Sequence, residues 1–190
     1  GQEGVLPPVR VGASKVLVAT RSSGGMPRDR RGPCRCHGEE VSMADPDREG
    51  VYRCEDRLSR WLAKEGPLLV EGRYLHLEPE QRFTTVSAAG LFCTLTCLEL
   101  GLPPVAVRRR RGDSRSHYDP LRHEIALASW GGARLVVLHE LAHHLAAHES
   151  SHLGHGAAFR AAMVRLLHHV GAPRQAAALE DLFTAEGFGP

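Results

Sequence analysis

The chain lacks the features that mark secreted, membrane-spanning and zinc-ribbon proteins. It contains no run near the ~18 apolar residues of a membrane-spanning helix. Its five cysteines, at positions 34, 36, 54, 93 and 97, are odd in number and form no C-x-x-C pair, which argues against a disulfide framework. The pair at 34 and 36 has no second half-site that would complete a metal site. These absences favour a reducing, cytoplasmic compartment and no membrane contact.

The net charge is small and aromatic residues are few. The formal net charge is only +2 and aromatic residues make up 5% of the chain, which alone indicates neither a nucleic-acid partner nor a membrane surface. Four arginines at 108–111 end a predicted strand. They fit either a phosphate-binding edge or an exposed strand end whose charges discourage edge pairing, and the lack of interleaved aromatics favours the second.

Residues 1–43 differ in composition from the remainder. They are rich in Gly, Pro, Arg and Ser without sustained periodicity, which predicts a disordered N-terminal extension. Residues 44–190 then form one predicted domain, and a chain of this length has room for a single core. Met43 precedes the first well-patterned segment, and we expect it to be the native start.

The most informative stretch is 135–149, which contains the H-E-x-x-H pattern at His139, Glu140 and His143. Two histidines four residues apart on a helix lie on one face, so their imidazoles can share one Zn²⁺ ion. Glu140 is turned about 100° from His139, beside the expected ion, where a carboxylate can take a proton from metal-bound water.

The helical phase supports this placement. With His139 at zero, one continuous apolar face is formed by Leu135, Leu138, Leu141, Ala142, Leu145 and Ala146, and His143 lies at about 40°. His144 and His148 fall at about 140° and 180°, on the wrong side for the same ion. The pattern therefore predicts a helix that buries one side and turns its metal-binding edge towards a cleft.

Catalytic zinc sites take three protein ligands, so a third must come from elsewhere. We favour His155, whose flanking glycines allow close approach to a metal and which precedes a predicted helix with an apolar stripe that begins at Phe159. His152 is the alternative histidine. Glu180, a carboxylate of the kind that gluzincins use, is less well placed.

The segment HELAHHL followed by GHGAAFR resembles the Spartan/SprT-like zinc metallopeptidases over residues 115–170. Residues 45–183 as a whole resemble a group of small bacterial metallohydrolases of this type. The resemblance implies a zincin-like fold in which His139, His143 and His155 bind Zn²⁺ and Glu140 is the general base. This sequence has no paired C-x-x-C motifs like those of the C-terminal zinc ribbon that SprT-like proteins often carry, so the resemblance by itself does not imply their nucleic-acid-linked roles.

Helical periodicity predicts three more helices around the metal helix. They run from an N-cap at Asp45 with Pro46 in the first turn to Gly66, from a cap at Thr84 or Thr85 to Gly101, and from 174 to 183. The second is apolar on two sides, which predicts a helix central to the core. Ser129 is expected to cap the metal helix.

Alternating residues predict short strands at 73–77, 105–111 and 123–127, with a turn at 118–120. In zincins, a strand placed like the third pairs with extended substrate backbone. The expected fold is therefore α+β, with a short twisted sheet beside the metal helix and other helices around it.

We expect zinc-dependent hydrolysis of a peptide or protein amide, with Tyr118 or His123 as candidates to stabilise the developing oxyanion. Two rival hypotheses stay open. One is a non-catalytic binding module that keeps the zincin scaffold and uses the metal structurally or the arginine strand to hold nucleic acid. The other is hydrolysis of a non-peptide amide.

Overall fold

The computed structural model describes residues 45–64, 66–70, 72–111, 115–129, 131–151 and 153–189. The predicted disorder of 1–43, the expected start at Met43 and the alternative ligand His152 all lie outside the described residues.

Helices and short strands build the described part of the chain, which confirms the α+β class. The helices are α1 Arg48–Leu62, α2 Val86–Leu100, α3 Arg134–Ser150, α4 Ala157–His169 and α5 Pro173–Ala185. The strands are β1 Leu68–Val70, β2 Arg73–Leu75, β3 Ala106–Arg109, β4 His117–Asp119 and β5 Glu124–Leu127. Among these helices, none is long and apolar enough to cross a membrane.

The larger sheet has the order β3-β5-β4, with β3 parallel and β4 antiparallel to β5. Both edges of β5 are therefore occupied, and the expectation that 123–127 pairs with substrate is wrong. The expected turn at 118–120 is also wrong in part, because Tyr118 and Asp119 belong to β4. The turn follows at 120–123, where the Asp119 carboxylate accepts the backbone N–H of Leu121 at 3.0 Å.

α3 lies at the centre of the core, in contact with α4, α2, β4 and β5. Leu138, Leu141 and Leu145 of α3 are fully buried, as are Phe159 and Met163 of α4. This confirms the predicted apolar face of the H-E-x-x-H helix. Because the apolar face of α3 is held in the core, the other side of the helix, which carries His139 and His143, keeps a constant orientation.

The predicted caps had mixed outcomes. Thr85 caps α2 by accepting the N–H of Ala88 at 3.1 Å, as predicted. Ser129 does not cap α3. The stretch before α3 pairs with the segment around Phe83, so the helix begins later, at Arg134. The N–H of Leu135 in its first turn is instead accepted by the Glu80 carboxylate at 2.9 Å.

α2 does not occupy the place in the core that its composition predicted. One face is buried through Ala89 and Cys93, but Leu91, Leu95 and Leu98 on the other are 62%, 48% and 75% exposed. The expectation that both apolar faces are buried is wrong, because α2 covers the sheet from one side and no described element covers its outer face.

Candidate metal centre

α3 and the segment before α4 bring three imidazoles together. His139 and His143 lie one turn apart on α3, and His155 lies two residues before the start of α4. One ring nitrogen from each lies within 4.8 Å of the other two. His139 and His155 are buried, and His143 is half-buried. The three residues are therefore close enough to bind one metal ion.

The ring of Phe159 packs against all three imidazole rings. Its ring centroid lies 4.9 Å from that of His139, 4.5 Å from that of His143 and 4.7 Å from that of His155, and the side chain is fully buried. Phe159 is the third residue of α4, in its first turn. The packing of α4 on α3 therefore also fixes the orientation of the three rings.

Two carboxylates hold the outer nitrogens of two of these rings. Both oxygens of Glu55 lie 2.8 Å from Nδ1 of His139, and Oδ2 of Asp45 lies 2.6 Å from Nδ1 of His155. Asp45 also accepts the backbone N–H of His155 at 3.2 Å. The expected N-cap at Asp45 is wrong. The N-cap of α1 is Asp47, and the Asp45 side chain is used at His155 instead.

These contacts set the tautomers of the two histidines. Burial alone would raise the pKa of Asp45, but its hydrogen bonds with His155 hold that pKa below its usual value, so the carboxylate is ionised and can only accept. A ring that donates through Nδ1–H presents an Nε2 lone pair in its neutral form. Nε2 of His139 and Nε2 of His155 are 3.3 Å apart.

That separation fits the geometry of zinc. Two nitrogens bound tetrahedrally to one zinc at 2.0–2.1 Å are about 3.3–3.4 Å apart. Two neutral rings whose lone pairs face each other need a shared proton or a cation between them. With the nitrogen of His143 as a third donor nearby, the donor set is that of a three-histidine metal site.

The electrostatics favour a lone pair on His143. Burial, together with the neighbouring His139 and His155, lowers the pKa of His143 to about 2. Burial also lowers the pKa of His155, against the opposing hydrogen bond to Asp45. For His139, burial acts in the same direction, but the carboxylate of Glu55 raises its pKa above the ordinary value.

Glu140 directly follows His139 on α3, and it is not one of the grouped donors. Burial raises the pKa of its carboxyl group to about 7, although the neighbouring His139 acts in the opposite direction. Glu140 and His139 line a cavity of about 290 Å³. The helical phase predicted Glu140 beside the expected ion, and in the structure Glu140 lines this cavity together with His139.

Tyr52 and Arg115 form another wall of this cavity. The Tyr52 ring stacks on His139 at a centroid distance of 5.4 Å and an interplanar angle of 16°. The guanidinium of Arg115 lies 4.7 Å from the Tyr52 ring centroid, within the range of a cation–π contact. Neither residue was predicted, since nothing in the local pattern links positions 52 and 115 to the H-E-x-x-H helix.

The other candidates lie elsewhere. His144 is buried with both ring nitrogens engaged, 2.9 Å from the Tyr118 hydroxyl and 2.9 Å from the Pro103 carbonyl oxygen. His148 and Glu180 are exposed and do not join the three nitrogens. Tyr118 and His123, the oxyanion candidates, do not line the cavity with Glu140.

The arginine run is partly engaged within the protein. Arg108 pairs with Glu124 at 2.5 Å, and Arg110 lies 2.8 Å from Nδ1 of His117 and donates to the carbonyl of Arg115. β3, which ends with the first two arginines of the run, is an edge strand of the larger sheet. These contacts support an exposed, charged strand end more than a phosphate-binding edge.

Comparison of the chain with models of protein families, with curated proteins and with solved structures finds no match in any of the three.

Proposed function

We propose that the protein is a zinc-dependent metallohydrolase of the zincin class, with the SprT-like arrangement that its two histidine motifs resemble. The observation that carries the proposal is the grouping of His139, His143 and His155, with Glu140 next to His139 and outside the group of donors. Three histidine nitrogens are the ligand set of many hydrolytic zinc centres, which keep the fourth position for water or substrate.

Zinc held by the three histidines would lower the pKa of a bound water to about 7 and polarise a carbonyl group. Glu140 then acts as the general base, because its carboxylate faces the cavity next to His139. Burial keeps the proton affinity of this carboxyl group high, so that it can return the proton to a leaving amine.

A peptide or protein amide is the substrate we propose. β4 is an edge strand of the larger sheet and contacts α3, and its own backbone N–H at Tyr118 lies near the Glu140 carboxylate. An extended peptide can add to such an edge through main-chain hydrogen bonds. In this proposal β4 takes the role that the sequence assigned to 123–127.

The rival proposal is a non-catalytic zincin scaffold that uses its metal structurally. Structural zinc sites are closed by four protein ligands. Among the described residues only three donors are grouped, and a buried acid faces a cavity beside them. The hydrolase is therefore favoured.

Replacement of Glu140 by Gln tests the general base. We expect Glu140→Gln to retain zinc, measured by elemental analysis, and to lose about 10²–10⁴ of its rate on a mixed peptide library followed by mass spectrometry. Glu149→Gln is a matched control, because Glu149 lies on the same helix but is exposed and pairs with Arg165. The base assignment is wrong if Glu140→Gln turns over as fast as that control.

A further inference from the structure

We propose that Asp45 and Glu55 are positioning residues of the metal centre and that they couple metal binding to the docking of α1. The inference rests on the metal centre of the proposed function but not on its hydrolysis. Both carboxylates come from one region, because Asp45 precedes α1 by three residues and Glu55 lies within it. Tyr52, between them in sequence, stacks on His139 and lies 5.2 Å from His155.

The packing of α1 does not by itself explain a buried acid at position 55. The apolar face of α1 is turned towards α5, which is its main helical partner, and Cys54 lies 3.4 Å from the Leu182 carbonyl oxygen. Glu55 lies on the same buried side with 9% exposure. Burying a carboxylate costs several kcal/mol unless it is paired and hydrogen bonded, and its partner here is His139.

The two carboxylates act on the ligands in the same way. Each accepts Nδ1–H of one histidine and thereby directs the Nε2 lone pair of that ring towards the common centre. Loss of such support lowers metal affinity by about 10- to 100-fold. We expect Glu55 to contribute more than Asp45, because its side chain is 11% exposed whereas that of Asp45 is 23% exposed.

The coupling follows from linkage. If the docked position of α1 raises the affinity for the metal, the metal must favour the docked position by the same factor. α1 reaches α3 through His139, and it reaches the start of α4 through Asp47, which pairs with Arg160 at 2.5 Å. Removal of the metal should therefore loosen α1 more than the elements that pack on the opposite side of α3.

The test measures zinc affinity in the whole chain by competition with a chromophoric chelator. We expect a graded loss: Glu55→Gln, whose amide oxygen still accepts Nδ1–H, about 10-fold, and Glu55→Ala about 100-fold. Asp45→Asn should lose less affinity than Glu55→Gln, because the Asp45 side chain is the more exposed of the two. Glu49→Gln is the control, because Glu49 is an exposed acid in the first turn of the same helix. Its affinity should stay at the wild-type value.

Two further measurements separate positioning from a general loss of structure. The visible spectrum of the cobalt-substituted protein reports ligand geometry, and it should change in Glu55→Gln and Asp45→Asn but not in Glu49→Gln. Hydrogen exchange in 48–62 should slow when zinc is added to the wild type, and this protection should be lost in Glu55→Ala. The milder Gln variant keeps the test decisive if the Ala variant does not fold.

The inference is overturned if folded Glu55→Gln and Asp45→Asn bind zinc as tightly as Glu49→Gln, or if zinc leaves exchange in 48–62 unchanged. A wild-type protein that binds zinc without hydrolysing any peptide would defeat the proposed function alone. If substitution of Glu55 leaves the zinc affinity unchanged, only the positioning role is contradicted. The two failures are therefore distinguishable.

Discussion

His143 and His144 are neighbours on α3, but their side chains serve different parts of the molecule. His143 points to the edge where His139 and His155 meet, and Phe159 packs against its ring at 4.5 Å. His144 points about 100° further round the helix, where Tyr118 and Pro103 occupy both of its nitrogens. One residue type, at consecutive positions, thus contributes to the group of three imidazoles on one side of the helix and forms a structural link on the other.

The difference lies in what each ring nitrogen meets. Nδ1 of His144 takes the hydroxyl hydrogen of Tyr118, and its Nε2–H donates to a backbone carbonyl, so no lone pair remains for a metal. The burial of His143 among other imidazoles disfavours its charged form and leaves a neutral donor. Whether a buried histidine can bind a metal therefore depends on how many of its nitrogens the protein already satisfies.

The largest expected effect is a difference in zinc affinity between variants of His143 and His144. We expect His143→Ala to weaken zinc binding by more than about 100-fold, because it removes a ligand and not merely the support of one. His144→Ala should bind zinc nearly as tightly as the wild type. Competition with a chromophoric chelator measures both. Equal losses in the two variants would show that the distinction between the two sides of α3 is wrong.

The parts of this site that could be predicted are those that helical geometry fixes locally. The 3.6-residue period places His139 and His143 together and turns His144 away, and it also identifies the buried face that sets the direction of α3. His155 lies only 16 positions from His139, at the start of the next helix. Short separations and regular periods leave few alternatives, so the grouping of the three residues followed from the pattern.

The supporting carboxylates could not be predicted in this way. Glu55 is 84 positions from His139, and Asp45 is 110 positions from His155. No local period connects such distant residues, and Asp45 before Pro46 has the composition of a helix cap. One signal was present: Glu55 falls on the buried stripe of α1 with Val51 and Leu58, where an unpaired acid would be costly.

Pattern also failed where the outcome depends on neighbours in space. Alternation at 123–127 predicts a strand, but it cannot distinguish the central position of β5 from an edge. The leucines on the outer face of α2 have the same period as the buried face, although two of the three are more than 60% exposed. Apolarity shows that a residue can be buried, and only the tertiary arrangement shows whether it is.

A smaller effect tests the structural role of His144. Replacement by Phe leaves the Tyr118 hydroxyl and the Pro103 carbonyl without this partner, and we expect the free energy of unfolding to fall by about 2–3 kcal/mol. Tyr118→Phe removes the hydroxyl that lies 2.9 Å from Nδ1 of His144 and 3.3 Å from Nδ1 of His123, but it keeps the contact of His144 with Pro103. It should therefore cost less, about 1 kcal/mol. Urea denaturation of the metal-free proteins measures both without a contribution from zinc binding.

The zinc affinity of His144→Phe and Tyr118→Phe decides how their loss of stability is interpreted. Both should retain the wild-type zinc affinity, since neither residue touches the three grouped nitrogens. A variant that unfolds more easily and also loses zinc affinity would mean that the two sides of α3 are coupled, which would weaken the contrast between His143 and His144.

The smallest effect concerns the cysteines. Burial raises the pKa of Cys93 to about 12 and that of Cys54 to about 11, so both thiols should resist alkylation at neutral pH, which requires the thiolate. Cys54 lies on α1, whereas Cys93 lies on α2, the helix whose C-terminal loop supplies Pro103 to His144. Chelation of the metal should therefore raise the alkylation of Cys54 modestly and leave Cys93 protected, as peptide mapping by mass spectrometry would show. Equal increases at the two positions would mean that metal loss loosens the whole core and not the side of α3 that binds the metal.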